Sequence, residues 1–359
     1  MTDTTVATGL KVHQWDDNFF QEYVRASRFS RYMDGNENAI IHTLENLTKK
    51  PGDRLTVSLI HELAGTGVTG NTVLEGSEEA LDNRSHMLTV DTLRHGVLVT
   101  DNEQQKTGID LRNAGKVRLK NWIMKNLRDA IIAAMQSING VAYATASAAQ
   151  RDVWLVDNAD RALFGAAKVN NTGVHSTSLL NVDAVNDVLT PGLVSLAKRM
   201  AKAASPAIRP VITKGDEEWF VLFANSRAFR DLQNDAAMMQ ANRDALERGK
   251  KNPLFTGGDL IWDGVIIREI PEIPVLAGVG AVGIDVAPNF FCGAQAVGVA
   301  WAQRTKTATQ DTDYKFRHGV AIQEIRGVEK LTFGKGVGDT TDLVDHGMLT
   351  LFTAGVADA

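Results

Sequence analysis

The chain has 359 residues, 44% hydrophobic and 23% charged, with a formal net charge of −5. That is the composition of a folded protein with room for one large or two to three ordinary domains. Its acidity argues against a dedicated sequence-specific DNA-binding protein, yet leaves room for loose contact of one face with nucleic acid.

The single cysteine, Cys292, excludes an intramolecular disulfide framework and a cysteine-based zinc cage. No apolar run approaches the ~18 residues of a membrane span. Met1 to Trp15 lacks the basic-then-apolar order of a signal peptide, so synthesis in a reducing cytoplasm is expected. Residues 1–50 mix aromatics (Trp15, Phe19, Phe20, Tyr23, Phe29, Tyr32) with polar groups. A short helix is expected over Asp16 to Arg28, on an arm that stays ordered only where neighbours hold it. Lys49-Lys50-Pro51-Gly52-Asp53 is a turn signal. Asp53 to Leu63 then alternates, with Leu55, Val57 and Leu59 at period two, and His86 to Thr100 is rich in β-branched residues. Between them lies a glycine-rich, acidic tip, Gly67-Val68-Thr69-Gly70-Asn71-Thr72-Val73-Leu74-Glu75-Gly76-Ser77-Glu78-Glu79. The whole reads as one hairpin of roughly 45 residues, too long to bury its own apolar faces. It is therefore expected to lie on another copy of the chain, with Gly67, Gly70, Leu74, Glu75, Glu78 and Glu79 as its assembly residues.

The strongest helical pattern follows, over 110–139, with Asp110 as N-cap and Asn139-Gly140 as stop. At 1.5 Å per residue it spans on the order of 40 Å. Its core stripe is Leu119, Trp122, Ile123 and Ile131. Its other side carries Arg112, Lys116, Arg118, Lys120, Lys125 and Arg128. The ordinary reading of such a run is a solvated face; the sharper one is contact with a polyanion. Residues 140–182 read as loops with one short strand at Val153 to Val156. A helix is expected over Val182 to Ala204, bent or broken at Pro191-Gly192. Trp219 to Phe223 is a buried strand, Ser226 to Arg248 a helix, Asn252 to Gly258 a turn and Gly264 to Ile270 a strand. Phe290 to Trp301 is an apolar run of small residues. Tyr314 to Arg317, Val320 to Ile325, Val328 to Phe333 and Met348 to Phe352 read as strands.

Motifs of chemistry are weak. His61-Glu62-Leu63-Ala64-Gly65 begins like the zinc motif HExxH but has glycine where the second histidine belongs. Gly278-Val279-Gly280-Ala281-Val282-Gly283 spells G-x-G-x-x-G. Pro288 follows closely, no acidic residue stands about 20 positions on, and a surface loop is the better reading. The histidines form no ligand-spaced pair. The acidic pairs Asp157/Asp160 and Glu78/Glu79 are the kind usually solvated on loops. No catalytic, cofactor-binding or metal residue is assigned.

Five blocks carry a resemblance: KKPGDRLTVSLIHELAGTGVTGNTVLEGSEEAL (49–81), TVDTLRHGVLV (89–99) leading into the long helix, FVLFANSRAFRDLQND (220–235), NPLFTGGDLIWDGVIIREIPEIP (252–274) and GAQAVGVAWAQ (293–303), followed by the alternating tail. In this order and spacing the chain resembles the major capsid proteins of tailed bacteriophages, and within them the family typified by the N-four-like podophages. The likeness runs from about Leu44 to the C-terminus and departs from it at 140–182 and 276–289.

The resemblance implies an α+β fold of the Hong Kong 97 type. Its parts would be an N-terminal arm (1–50), an extended β-hairpin loop (51–105), a peripheral domain (106–204) with the spine helix 110–139, an axial domain (205–304) and return strands of the peripheral domain (305–359). It implies a structural protein without cofactor or membrane association, self-assembling through hexamers and pentamers into an icosahedral shell around double-stranded DNA. Contact with the DNA would be non-specific, and portal, scaffolding and decoration proteins would be further partners. The place of action would be the virion capsid, after synthesis in the host cytoplasm. Two other classes stand beside it. One is an encapsulin-like compartment shell, which would hold an enzyme in place of DNA. The other is a nucleotide-binding enzyme using 278–283.

Overall fold

The computed structural model describes residues 28–45, 52–60, 63, 65–71, 73–213, 217–244, 259–335 and 341–357. The helix expected over 16–28 apart from Arg28, most of the 49–53 turn, the His61-Glu62 pair and the 252–258 turn lie outside the described residues.

The strands in chain order are β1 (Met33–Asp34), β2 (Ile41–Leu44), β3 (Arg54–Ile60), β4 (Asn83–Thr89), β5 (Asp91–Thr100), β6 (Ala162–Phe164), β7 (Val211–Ile212), β8 (Glu218–Ala224), β9 (Leu260–Trp262), β10 (Val265–Glu269), β11 (Val286–Cys292), β12 (Val297–Thr312), β13 (Arg317–Lys330), β14 (Thr332–Gly334), β15 (Leu343–Asp345) and β16 (Met348–Ala354). The helices are α1 (Asp101–Gln105), α2 (Leu111–Gln136), α3 (Ala148–Asp157), α4 (His175–Leu180), α5 (Pro191–Ala203), α6 (Ser226–Asn234) and α7 (Ala236–Asp244).

Two large sheets organise them. A seven-stranded sheet runs β6-β16-β11-β8-β10-β9, with β7 beside β8. Its strands are buried on both faces, which is why WFVLF shows no apolar–polar alternation. Phe220, Leu222 and Ala224 face one core with Leu193, Val194, Ala197, Phe229 and Leu232 of α5 and α6. Val221 and Phe223 face the opposite core with Phe290 and the C-terminal half of α2. The second sheet, five-stranded, runs β1-β2-β12-β13-β5.

α2 ties the sheets together. Leu119 and Ile123 pack on Val320 and Ile322 of β13, with Leu93 and Val97 of β5 beside them. Two turns on, Ile131, Ile132 and Met135 pack on both β11 and the β2–β12 end of the other sheet. Asp110 Oδ1 accepts from the Asn113 N–H at 3.0 Å, as an N-cap should. The helix stops at Gln136, earlier than expected. Asn139-Gly140 is the centre of a tight turn, both residues at positive φ (47° and 80°), closed by the Ile138–Val141 bridge. Positive φ at both central positions marks a type I′ turn, which Asn-Gly favours more than a helix stop. Lys330 Nζ donates to Ser137 O at 2.6 Å and to Asp345 Oδ2 at 2.8 Å, pinning the end of α2 to β13 and β15.

The expected long hairpin is two features. β3 pairs with β4, Arg54 opposite Thr89 and Ile60 opposite Asn83, and among the described residues neither pairs with another strand. β5 turns away after Val90 and pairs with β13, Asp91 opposite Arg326. The corner has room because residue 327 is glycine: a Cβ there would stand 2.0 Å from Thr89 O. The base of the β3–β4 ribbon also has a seat within its own chain, since Leu88 packs with Ala300, Leu331 and Phe333. Among the described residues, only the distal part lacks one.

Four more expectations are corrected. Val153 to Val156 is helical, inside α3, whose capping box joins Ser147 and Gln150. Pro191 opens α5 behind the N-cap Thr190 and does not bend it, because its missing N–H is unneeded in the first turn. The helix expected from Ser226 is two helices broken at extended Asp235, whose Oδ1 accepts from the Ala237 N–H at 2.8 Å; residues 245–248 lie outside the described residues. Asp313, Tyr314 and Lys315 all have positive φ and form the turn between β12 and β13, so Tyr314 to Arg317 is not a strand. β6, from 162–164, and β16, from 348–354, share the sheet of β8 and β11, and β12 runs through residue 304.

Candidate assembly surfaces

The described residues of the tip between β3 and β4 are exposed, apart from half-buried Val68. Gly67, Gly70 and Gly76 take positive φ (67°, 69° and 85°), so glycine is what the backbone requires there. Glu78 Oε2 accepts from the Gly76 N–H and Glu79 Oε2 from the Gly65 N–H, both at 2.7 Å. These two carboxylates therefore shape the tip as well as charge it. Glu75 and Asp82 add to the negative charge, and buried Arg84 is paired with Asp82. Leu74 is 57% exposed, Val73 68% and Leu81 59%. Among the described residues these aliphatic side chains are left uncovered, which makes the tip a candidate interaction surface.

A second open surface lies on the five-stranded sheet. α2 covers the face of Leu93, Val97, Val320 and Ile322. Alternation and register place Arg94, Gly96 and Leu98 of β5, Ala321 and Gln323 of β13, and Lys306 and Ala308 of β12 on the other face. Leu98 and Phe316, at the far end, are exposed large apolar groups. The sequence reading missed this face, because only the strand register brings Arg94, Gln323 and Lys306 into one row.

The third surface is the outer side of α2. Leu119, Ile123 and Ile131 are buried. Trp122 is half-buried, its ring 4.5 Å from that of His95. Arg128 does not belong to the charged outer side: it is 7% exposed, 2.6 Å from Asp129 and 3.2 Å from Glu272. Arg112 reaches Asp311 at 3.6 Å. Lys116, Lys120 and Lys125 are exposed.

The candidate nucleotide loop has no helix to offer a phosphate. Residues 278–283 close a 3-10 turn that leads into β11, and Gly278 N–H donates to Asp285, whose carboxyl Arg227 holds below the usual range. Asp160 accepts from the Ser205 N–H at 2.9 Å, and burial raises the Asp157 carboxyl. A cavity of about 540 Å³ opens between α3, α4 and residues 275–279. It is walled mainly by aliphatic side chains, and burial drives His175 there down to about 4, keeping it neutral. Among the described residues no group of three or more His, Cys, Asp or Glu could hold a metal ion. No helix among them is long and apolar enough to cross a membrane. What the geometry offers is large uncovered surface of matched character: an acidic, aliphatic tip and an open sheet face with Arg94 and Lys306.

A family model described as phage capsid protein matches residues 3–357. The major capsid protein of Pseudomonas phage KPP25 is 27% identical over 366 residues, spanning 95% of this chain and 94% of the relative. Among solved structures, the capsid asymmetric unit of cyanophage Pam1 aligns over 100% of both chains with a TM-score of 0.91 and 37% identity. The capsid of Ralstonia phage GP4 aligns over 100% of both with a TM-score of 0.75 and 21% identity.

Proposed function

Because this chain belongs to the phage capsid protein family, which it matches over residues 3–357, we propose that it is the major capsid protein of a tailed bacteriophage. Its α+β fold is the Hong Kong 97 type of capsid fold. The observation that carries the proposal is the end-to-end likeness, at 37% identity, to a chain that forms a capsid's asymmetric unit. The role is structural, and we read the chain as having no catalytic site.

Copies would close through hexamers and pentamers into an icosahedral shell around double-stranded DNA, with portal, scaffolding and decoration proteins as partners. The place of action would be the virion, after synthesis in the host cytoplasm. The narrower placement among N-four-like podophages is kept on the five sequence blocks. We keep the division into arm (1–50), extended loop (51–105), peripheral domain (106–204), axial domain (205–304) and return strands (305–359) as part of the proposal. The extended loop is the intersubunit element. Its tip, with Leu74, Glu75, Glu78 and Glu79, would lie on a second copy at a surface offering both cations and apolar groups. The open sheet face, with Arg94, Lys306, Leu98 and Phe316, offers both.

Electron microscopy of the purified protein tests this: shells or capsomers are expected, and small discrete oligomers would sink it. Nuclease-protected DNA within particles from infected cells separates a phage shell from a compartment holding a protein cargo. Replacing residues 65–82 by Asn-Gly should leave a folded, soluble protein that forms no shells, because the base of the ribbon keeps its own seat on Leu331 and Phe333. Normal shells from that variant would refute the intersubunit role.

A further inference from the structure

We propose that the cavity between α3, α4 and residues 275–279 is a binding site for a small apolar carboxylate, with its chain among the aliphatic walls and its head on the Arg151 guanidinium. Nothing in that role needs a shell, so the site would serve a lone subunit and an assembled one alike.

Helical spacing builds the walls. On α3, Ala148, Arg151 and Asp152 stand at i, i+3 and i+4, and so share the side that borders the cavity. On α4, His175 and Leu179 stand one turn apart and border it from across. Val275 and Val279 close a third side. The enclosed volume, about 540 Å³, lies in the range of sites for small organic molecules. Alanine at 148 and at 277 leaves open the space that a larger side chain would fill.

Arg151 is the anomaly in this setting. It is half-buried and forms no ion pair with a described residue. Its Nη2 donates to Tyr143 O at 2.9 Å, and its guanidinium lies 4.5 Å from the centre of the Tyr143 ring. Its Nε is buried and has no hydrogen-bond partner among the described residues. His175, 2% exposed, shows the same lack at Nε2. A charge drawn into apolar surroundings without a counter-ion is costly, and so is a buried donor left unpaired. A carboxylate in the cavity would relieve both at Arg151, through charge-assisted hydrogen bonds to a planar donor fork.

Asp152 also borders the cavity, yet it does not turn the site toward cations. Its Oδ1 already accepts the His175 N–H at 2.7 Å. After burial, the charge that acts most on His175 is that of Arg151, which pushes its pKa down, ahead of Asp152, which raises it. The field at the His175 wall is thus set more by the cation than by the anion. Water satisfies a lone N–H but gains nothing from aliphatic walls, and a sugar or nucleotide would leave most of its polar groups facing them. A short aliphatic chain ending in a carboxylate matches the walls and the charge together.

The test uses full-length protein, both unassembled and as shells, with octanoate, octanol and octylammonium as probes in calorimetric titrations. Octanoate should bind about tenfold or more tighter than octanol, and octylammonium most weakly. Arg151→Met should hold octanol as wild type does and lose the preference for octanoate, while Arg151→Lys should keep a preference. Ala148→Phe, at an exposed position on the rim, should abolish binding of all three. Val185→Ser, exposed and outside the cavity, should change nothing. Octanoate should also raise the thermal midpoint of wild type but not that of Ala148→Phe.

Equal affinity for octanoate and octanol in wild type, or a preference that survives Arg151→Met, overturns the proposal. Octanoate binding that survives Ala148→Phe also overturns it, by placing the ligand elsewhere on the surface. No binding of any probe leaves the cavity to water and sinks the idea. Binding by unassembled protein that is lost in shells gives the cavity to a neighbouring copy, and is equally fatal. If Arg151→Met does not fold, the ranking of probes in wild type and the result with Ala148→Phe still decide. Failure on any of these counts leaves the shell function standing.

Discussion

His318 sits between two carboxylates, Nδ1 at 2.8 Å from Asp311 and Nε2 at 2.9 Å from Asp101. Only the imidazolium can donate to both. Hydrogen bonds to Asp311 and Asp101 raise its pKa, and the bond from His318 lowers that of Asp311, with Arg112 and Lys315 nearby. A raised histidine contributes stability that is full below its unfolded value of about 6.5 and is lost as pH climbs through the folded value. A depressed carboxylate contributes above about 3.9 and loses it as pH falls through the folded value. The cluster is therefore strongest in mild acid. The gap in thermal midpoint between wild type and His318→Gln should be widest near pH ~5.5 and shrink toward pH ~9. A gap of constant width across that range would show that His318 does not titrate there.

His175 runs the other way. Caged by Tyr143, Trp154, Phe164 and Phe352 and driven down to about 4 by burial, it must stay neutral. It costs nothing above its unfolded value and on the order of 3 kcal/mol once pH falls from about 6.5 to 4. His175→Phe should flatten the fall of stability between those pH values, as read by urea titrations at fixed pH. An unaltered acid limb would place the loss elsewhere.

At the scale of elements, α2 separates buried from half-buried side chains. Ile131→Ala should cost about 2–5 kcal/mol as a full core truncation. Trp122→Ala should cost about 1–2, a fraction of the 3–5 of a fully buried aromatic. Equal losses in a denaturant titration would mean Trp122 is covered as completely as Ile131. Gly327→Ala drives a methyl against the Thr89 carbonyl at the corner between β4 and β5, where the obstacle is main chain. It should cost about 1–3 kcal/mol or more; a neutral result would show that the corner gives way.

The same elements show what the sequence made legible. α2, β3 and β13 follow from periodicity, because each buries a regular stripe or face, whereas β8, β10 and β16 follow from short apolar runs buried on both sides. The corner at Val90 was hidden, since neither glycine nor proline marks it and the glycine that makes room is residue 327, on another strand. α3 was misread because its β-branched Val153 and Val156 point outward, 56% and 63% exposed, so no apolar stripe betrays the helix. Its true signal was the capping box Ser147 to Gln150. Of the candidate site, the acidic tip was readable as composition. Its possible seat was not, because Arg94 and Lys306 meet only through strand register.

At the scale of the whole molecule, the shell should be held without covalent bonds through its loop. An isopeptide link needs a lysine amine, since arginine stays protonated and is a poor nucleophile. From Asp53 to Gln105 there are Arg54, Arg84 and Arg94 but no lysine. Cys292 is fully buried, and burial pushes its thiol up, so it offers no alternative. Particles boiled in detergent should run as a single band near 39.0 kDa. A ladder that survives reductant would refute this.

The order of strands in the smaller sheet bears on when a copy becomes competent to assemble. β12 lies between β2 and β13, and β13 between β12 and β5, so the centre of that sheet is made by the last third of the chain and its flanks by the first. On the ribosome, β2, β5 and the apolar underside of α2 emerge long before the strands they need. Pairings of such sequence separation form slowly, because a long loop must close before any contact rewards it. A nascent or truncated chain ending before residue 297 could not lay β5 on β13 or seat Leu88 on Leu331. Its hairpin would be unanchored and its spine helix unsupported. A chain lacking β12 and β13 would thus be unfit to enter a growing shell, a check that follows from strand order.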